Sequence, residues 1–255
     1  MKRLMPIFIV ILLSGCGILT AYAPNMLSMI VVAVMGVVVL LGIIYGLIPV
    51  LTFTQGLLTG QKSIQRASEA EEKSVWITAL QMDRFFRQKK MDQLFREYRD
   101  KVKQQRQNGQ IVSDLEDILN EDVLALYSWQ GVVAQIPGTL TGLGILGTFI
   151  GLLRGLRNIN FVTVEAALSS VQSILTGIDI AFYTSIAGVI LSILFNISNN
   201  ILRNTMDREM GIFLEVFHRV VLPTTQEQER YRSRRETRQI MDLLDRLPKK
   251  DDYSA

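Results

Sequence analysis

The chain has 255 residues, 49% of them hydrophobic and 20% charged, with a net charge of +3 and a mean hydropathy of +0.26. Long uncharged runs alternate with strongly charged ones, which excludes a single soluble domain and reads as a polytopic membrane protein with cytoplasmic parts. One cysteine, Cys16, excludes an intrachain disulfide and any multi-cysteine metal site; with no phosphate-binding Gly-x4-Gly-Lys, nucleophile elbow or paired catalytic histidine, no enzyme, cofactor or metal site is expected.

Lys2 and Arg3 give a short basic start. Residues 4–23 are an apolar run long enough to span a bilayer. It contains Leu13-Ser14-Gly15-Cys16, which resembles a bacterial lipoprotein cleavage box. A first transmembrane helix is the preferred reading, because the apolar stretch continues to Ala23 and a second span follows at once. Pro24-Asn25 makes the turn. Residues 26–53 form that second span, longer than the hydrocarbon core needs, so it should tilt or project. Pro49 is expected to bend it. No charge occurs between Arg3 and Lys62, so residues 1–56 read as a lipid-facing hairpin that packs peripherally.

Residues 57–135 read as a cytoplasmic helical region. Residues 76–107 lack proline and glycine and predict one long solvated helix, crowded with charges from Asp83 and Arg84 to Arg99 and Asp100. Its bases are interleaved with acids, which argues against a nucleic-acid surface. Ser113 and Glu116 are spaced as a capping box and predict a second helix to about Ser128. Gly131 and Pro137 should mark a kink into the next span.

Residues 136–202 hold the most distinctive pattern. The third span, about 136–157, contains PGTLTGLGILGTFIGLLRGL, in which Arg154 alone is charged. Gly144, Thr148, Gly151 and Gly155 recur at steps of four, three and four, on one helix face. A glycine inside a helix costs about 1 kcal/mol relative to alanine. A membrane helix tolerates that where another backbone comes close. The fourth span, about 177–200, repeats the design with Gly177, Ala181, Thr184 and Gly188. Two smooth faces, each broken by one hydroxyl at similar depth, suggest the lining of something that moves past or is hydrated beside them. Ordinary packing of small residues is the alternative. Between the two spans, residues 164–175 should form a short helix on the outer surface.

Residues 203–255 are polar or amphipathic. A mixed helix at 211–221 carries the one histidine, His218, read as a surface or interface residue. Pro223 breaks it, and Ile240, Leu243, Leu244 and Leu247 form a narrow stripe suited to self-association or docking. Of the 27 Lys and Arg, 12 lie in residues 62–106 and 11 in residues 203–250. The positive-inside rule therefore puts both termini and the large loop in the cytoplasm.

The third span carries Gly-x-x-Gly-Thr around Thr148. The fourth carries an acid, Asp179, then Thr184 and Gly188 at the spacing acidic-x4-Thr-x3-Gly. On these residues the chain resembles the MotA/TolQ/ExbB proton-channel family, and its leading hairpin gives four spans as in the MotA branch. Over roughly residues 130–202 the wording is similar to the Zorya-type membrane-motor subunits of antiphage systems, whose long intracellular tail is expected to have no counterpart here. The resemblance implies an all-α ring oligomer, a homopentamer, in the bacterial inner membrane. It implies a partner of one transmembrane helix bearing an essential aspartate, present as a dimer inside the ring, and no nucleic acid. Protons loading and unloading that aspartate would turn the ring stepwise. Thr148 and Thr184 would offer hydroxyls to the ionised carboxylate, whose charge is costly in the membrane. Gly144, Gly151, Gly155, Gly177, Ala181 and Gly188 would pack against the partner helix.

Asp179 lies five residues outward of Thr184, about 7.5 Å, and Arg154 six outward of Thr148, about 9 Å. These two are expected to pair, within or between subunits, or to line the ion entrance. The alternative is a snorkelling arginine and an aspartate serving its helix dipole. The functional expectation is an ion-driven motor or stator subunit, with antiphage defence, envelope transport and motility as candidate outputs. A static oligomeric scaffold that recruits cytoplasmic partners is the alternative.

Overall fold

The computed structural model describes residues 5–69, 82, 84–108, 110, 112–157, 159 and 162–222, then 226, 229–230, 233–234, 236–237 and 240–241. Among these residues every regular element is a helix and none is a strand. The chain divides into two units, each assembled from separated stretches: Met1–Gln55 with Glu121–Met210, and Gly56–Asn120 with Gly211–Ala255.

In the first unit, helix α1 (Met5–Ala21) ends before Pro24, and extended Asn25 (φ −139°) precedes α2 (Met26–Gly42). A π-helical turn, Ile43–Leu47, joins α2 to α3 (Ile48–Glu69). Pro49 accounts for it: proline has no N–H, and its ring crowds the carbonyl four residues back, that of Tyr45, so a wider turn relieves both problems. The helix continues past the expected end at residue 53. Gly42 and Gly46 leave room for neighbours. A Cβ on Gly42 would lie 2.6 Å from Ile136 and Phe195, and one on Gly46 would lie 2.7 Å from Val133.

Two short helices follow, α5 (Glu121–Tyr127) and α6 (Gln130–Val133), with left-handed Trp129 (φ 52°) between them. Helix α7 (Ile136–Leu156) then begins with Pro137 in its first turn, where no N–H is needed. The expected kink is present, at Trp129 and Ala134-Gln135 rather than at Gly131.

Helix α8 (Val164–Val220) corrects the sequence reading. The segments 164–175, 177–200 and 211–221 were expected as separate helices and form one of 57 residues. No proline interrupts residues 164–222, and the polar run at Ser198 bonds its own turns: Ser198 Oγ donates to the Leu194 carbonyl at 2.7 Å. Among the described residues, three helical stretches are long and apolar enough to cross a membrane: Met26–Arg66, Gln130–Leu156 and Val164–Val220. The apolar helix before them, Pro6–Ala21, is shorter. Cys16 lies within α1, half-buried.

The second unit is organised by aromatic rings. Phe85, Phe86, Phe95, Tyr98, Phe213 and Phe217 are each at most 2% exposed. Phe85 stacks on Phe95 (centroids 4.5 Å apart), and Phe86 meets Phe213 edge-on at 5.2 Å. This cluster explains a second correction. The helix expected over 76–107 begins at Lys89 (α4, Lys89–Gln107), and residues 84–88 turn instead. The turn brings both Phe85 and Phe86 into the cluster as the chain leaves the helical region. Arg87 makes that turn with φ 54°. The Phe86 N–H donates to Asp92 Oδ1 at 2.8 Å. Residues 76–81 and 83 lie outside the described residues.

The helix expected over 113–128 is also broken, into a 3₁₀ turn at Leu115–Asp117 and, beyond Asn120, α5. The expected capping hydroxyl has another partner. Gln105 Nε2 donates to Ser113 Oγ at 2.6 Å, and Ser113 N–H donates to Gln105 Oε1 at 2.9 Å. Tyr98 Oη donates to the Ser113 carbonyl at 3.1 Å. Burial pushes the Tyr98 phenol well above its ordinary range, and the charges of Asp114 and Asp117 push it further. His218 is exposed, with Nδ1 2.7 Å from Asp114 Oδ2. Of the stripe near the end, Leu243, Leu244 and Leu247 lie outside the described residues.

Candidate functional site

The candidate site is the α7–α8 pair in the first unit. It is built from missing side chains. A Cβ on Gly151 would lie 2.8 Å from the Gly177 carbonyl oxygen and from the Ala181 nitrogen. One on Gly155 would lie 3.1 Å from Gly177 Cα, and one on Gly144 3.3 Å from the Thr184 and Ser185 carbonyls. From the other helix, a Cβ on Gly177 would lie 2.6 Å from the Gly151 carbonyl, and one on Gly188 2.8 Å from the Leu140 carbonyl. The six small residues therefore meet one another, and the backbone whose approach they permit is that of the same chain. Van der Waals contact between closely spaced backbones is what holds apolar helices together in lipid, where no hydrophobic force does.

The two hydroxyls converge within this contact. Thr148 Oγ1 lies 3.1 Å from the Gly144 carbonyl on its own helix and 3.2 Å from the Ala181 carbonyl on α8. Thr184 Oγ1 lies 2.9 Å from the Ile180 carbonyl and 3.2 Å from that same Ala181 oxygen. Both threonines thus stand at the level of Ala181, at matching depth. Their accessibility differs. Thr184 is 0% exposed, with its side chain in the space left by Gly147, whose Cβ would lie 2.5 Å from Thr184 Oγ1. Thr148 is half-buried. Gly147 belongs to the site although it is off the stripe read from the sequence; the Gly147-Thr148 dipeptide was the only signal for it.

Asp179 and Arg154 are both exposed. Among the described residues they form no ion pair with each other within the chain. Arg154 instead borders a crevice of about 310 Å³ with Asn25, Met26, Leu27, Ile30, Thr176 and Ile180, where the turn of the leading hairpin meets the end of α7 and the part of α8 around Thr176. Tyr183 ties the hairpin down too, its hydroxyl donating to the Leu19 carbonyl. The outward faces remain apolar: Ile145, Phe149 and Leu153 of α7 and Phe182, Ile186 and Ile193 of α8 are exposed. Among the described residues, no group of three or more His, Cys, Asp or Glu could hold a metal ion.

Two curated relatives, each a Zorya protein ZorA, come from Escherichia coli strain Crooks (45% identical over 60 residues) and E. coli O139:H28 strain E24377A (43% over 60). Each alignment covers 24% of this chain and 10% or 8% of the relative, so the chain matches only about a tenth of their length. The model of the anti-phage protein ZorA of the Zorya type I system matches residues 12–206, which contain the hairpin from residue 12 onward and the whole α7–α8 contact, and on that match the chain belongs to the ZorA-like family.

Proposed function

We propose that the chain is the ring-forming subunit of an ion-driven motor in the bacterial inner membrane, with protons as the driving ion and phage defence as the output. In this reading α1 is a fourth crossing, both termini are cytoplasmic, and five copies surround two copies of a single-span partner with an essential aspartate. A five-fold ring around a two-fold axle never presents the same surroundings to both carboxylates. A carboxyl in an apolar environment stays neutral until a hydroxyl or water eases its ionisation. Thr148 is the hydroxyl that serves it. Thr184, enclosed against Gly147, keeps α7 and α8 at the spacing that presents Thr148. Arg154 and Asp179 lie toward the outer mouth and act on ion entrance, between neighbouring subunits.

The observation that carries this reading is the closely packed α7–α8 pair, its two threonines meeting at one carbonyl and one of them partly open. Family membership and the clustering of cations in two charged stretches support it. The test is proton flux in vesicles holding the protein with its genetically neighbouring single-span partner. Thr148→Ala is expected to keep the assembly's size and lower flux at least tenfold, and Thr148→Ser to retain it. A Thr148→Ala assembly with undiminished flux overturns the channel role.

One observation favours a static scaffold as the second reading: the glycines and Thr184 are all accounted for by contacts inside one chain. A scaffold would tolerate Thr148→Ala, and the same flux measurement separates the two.

A further inference from the structure

Acids and bases alternate along residues 84–100, but in space they separate. Lys89, Asp92, Arg96 and Arg99 follow at steps of three, four and three, one face of α4. Arg84 and Arg87 join them from the preceding turn, and the six line an open cavity of about 1060 Å³ in the second unit. Among the described residues that line it, five of the six are cations. The one acid, Asp92, is only 7% exposed and has its Oδ1 engaged by the Phe86 N–H. The other acids of α4, Glu97 and Asp100, do not line the cavity. Among the described residues, Arg84, Arg87, Lys89 and Arg96 form no ion pair.

Cations gathered around one concavity repel each other, and its walls concentrate their field. An anion in the cavity relieves that repulsion. Arginine forks match the oxygens of a tetrahedral phosphate two at a time, and lysine adds a point charge. The volume lies at the upper end of small-molecule sites, about 300–1,000 Å³, enough for several linked phosphates or for a headgroup with its glycerol. We propose that this cavity binds a phosphate-bearing anion, supplied either as a free polyphosphate such as a nucleotide or as the headgroup of an anionic phospholipid. The site stands apart from the α7–α8 pair and does not depend on the motor reading.

The test uses the full chain in phosphatidylcholine nanodiscs, titrated with inorganic tripolyphosphate by calorimetry at physiological ionic strength. Saturable binding is expected, weakened at least tenfold in Arg84→Gln/Arg96→Gln and by less than twofold in Lys62→Gln/Lys103→Gln, which neutralises two exposed cations off the cavity. If the double variant loses its helical circular dichroism, the single variants Arg84→Gln and Arg96→Gln are read instead, each with a threefold loss. In discs containing phosphatidylglycerol, a tenfold weaker apparent affinity assigns the lipid source and an unchanged affinity assigns the free one. No saturable binding, or equal weakening in both double variants, overturns the site. Poly-glutamate competing as well as tripolyphosphate overturns its phosphate chemistry.

Discussion

Gly177→Ala tests whether the α7–α8 contact depends on backbone approach. The new methyl would lie 2.6 Å from the Gly151 carbonyl oxygen and 2.7 Å from Gly155 Cα, about 0.8 Å and 0.7 Å inside the 3.4 Å at which ordinary contact begins. Both obstacles are backbone, which no rotamer change can clear, so the helices must part. Overfilling a well-packed site costs about 1–3 kcal/mol, while alanine gains about 1 kcal/mol of helix propensity over glycine. Gly142→Ala carries the second effect alone, so the difference between the two variants isolates the first. Gly142→Ala gains the same propensity in α7, and nothing lies within 4 Å of its new methyl. The difference between the two variants should therefore be about 1–3 kcal/mol, with Gly177→Ala the less stable. Melting of the purified protein in detergent, followed by size-exclusion chromatography, reads it at about 2–4 °C per kcal/mol for a chain of this size. If Gly177→Ala melts as high as Gly142→Ala, the close approach is not what joins these helices.

Other expectations concern the second unit. Phe85 touches four other aromatic rings, and Phe85→Ala should cost about 3–5 kcal/mol, visible as a lower denaturant midpoint. Asp92→Ala leaves the buried Phe86 N–H without an acceptor and should cost about 1–3 kcal/mol; Asp92→Asn keeps an oxygen there and should recover most of the loss in thermal melting. The Tyr98 phenol is raised above its ordinary 10.0, so the folded state keeps its proton after the unfolded state has released it. Its contribution is complete below pH 10 and is lost as pH rises further toward the folded value. Tyr98→Phe should flatten that alkaline decline, at a cost of about 1 kcal/mol near neutrality for the bond to Ser113; melting curves between pH 7 and 12 measure both.

The sequence was most legible where spacing alone sets which residues face each other. The glycine stripes, the level of the two threonines and the turn at Pro24-Asn25 all follow from helical periodicity and from proline. What the stripes face was not legible, because a small-residue face is the same whether its neighbour is its own chain or another. Element ends in the charged stretches were misjudged for a different reason. Residues 84–88 have good helix formers, but two adjacent phenylalanines seek one cluster, and that tertiary demand outweighs local propensity. Ser113 likewise has the right spacing for a cap, yet its hydroxyl accepts from Gln105. In α8 the polar Ser198-Asn199-Asn200 looked like an end but remains helical, since side chains that bond the preceding turn do not break it.

The π-helical turn at Ile43–Leu47 makes the leading helix sensitive to its own length. Ser28, Val32, Met35, Val39 and Gly42 are buried at an average step of three and a half, and Ile43, Leu47 and Val50 resume the buried side just beyond. The wide turn takes up one residue that a regular α-helix would convert into rotation. Straightening that window into a regular α-helix with no residue removed would swing all later side chains by about 100°. Val50, now 1% exposed, would leave its neighbours without any change of its own. This five-residue window thus acts as a phase control: deleting one residue should straighten it with the later side chains in place, whereas inserting one should displace them downstream of the lesion.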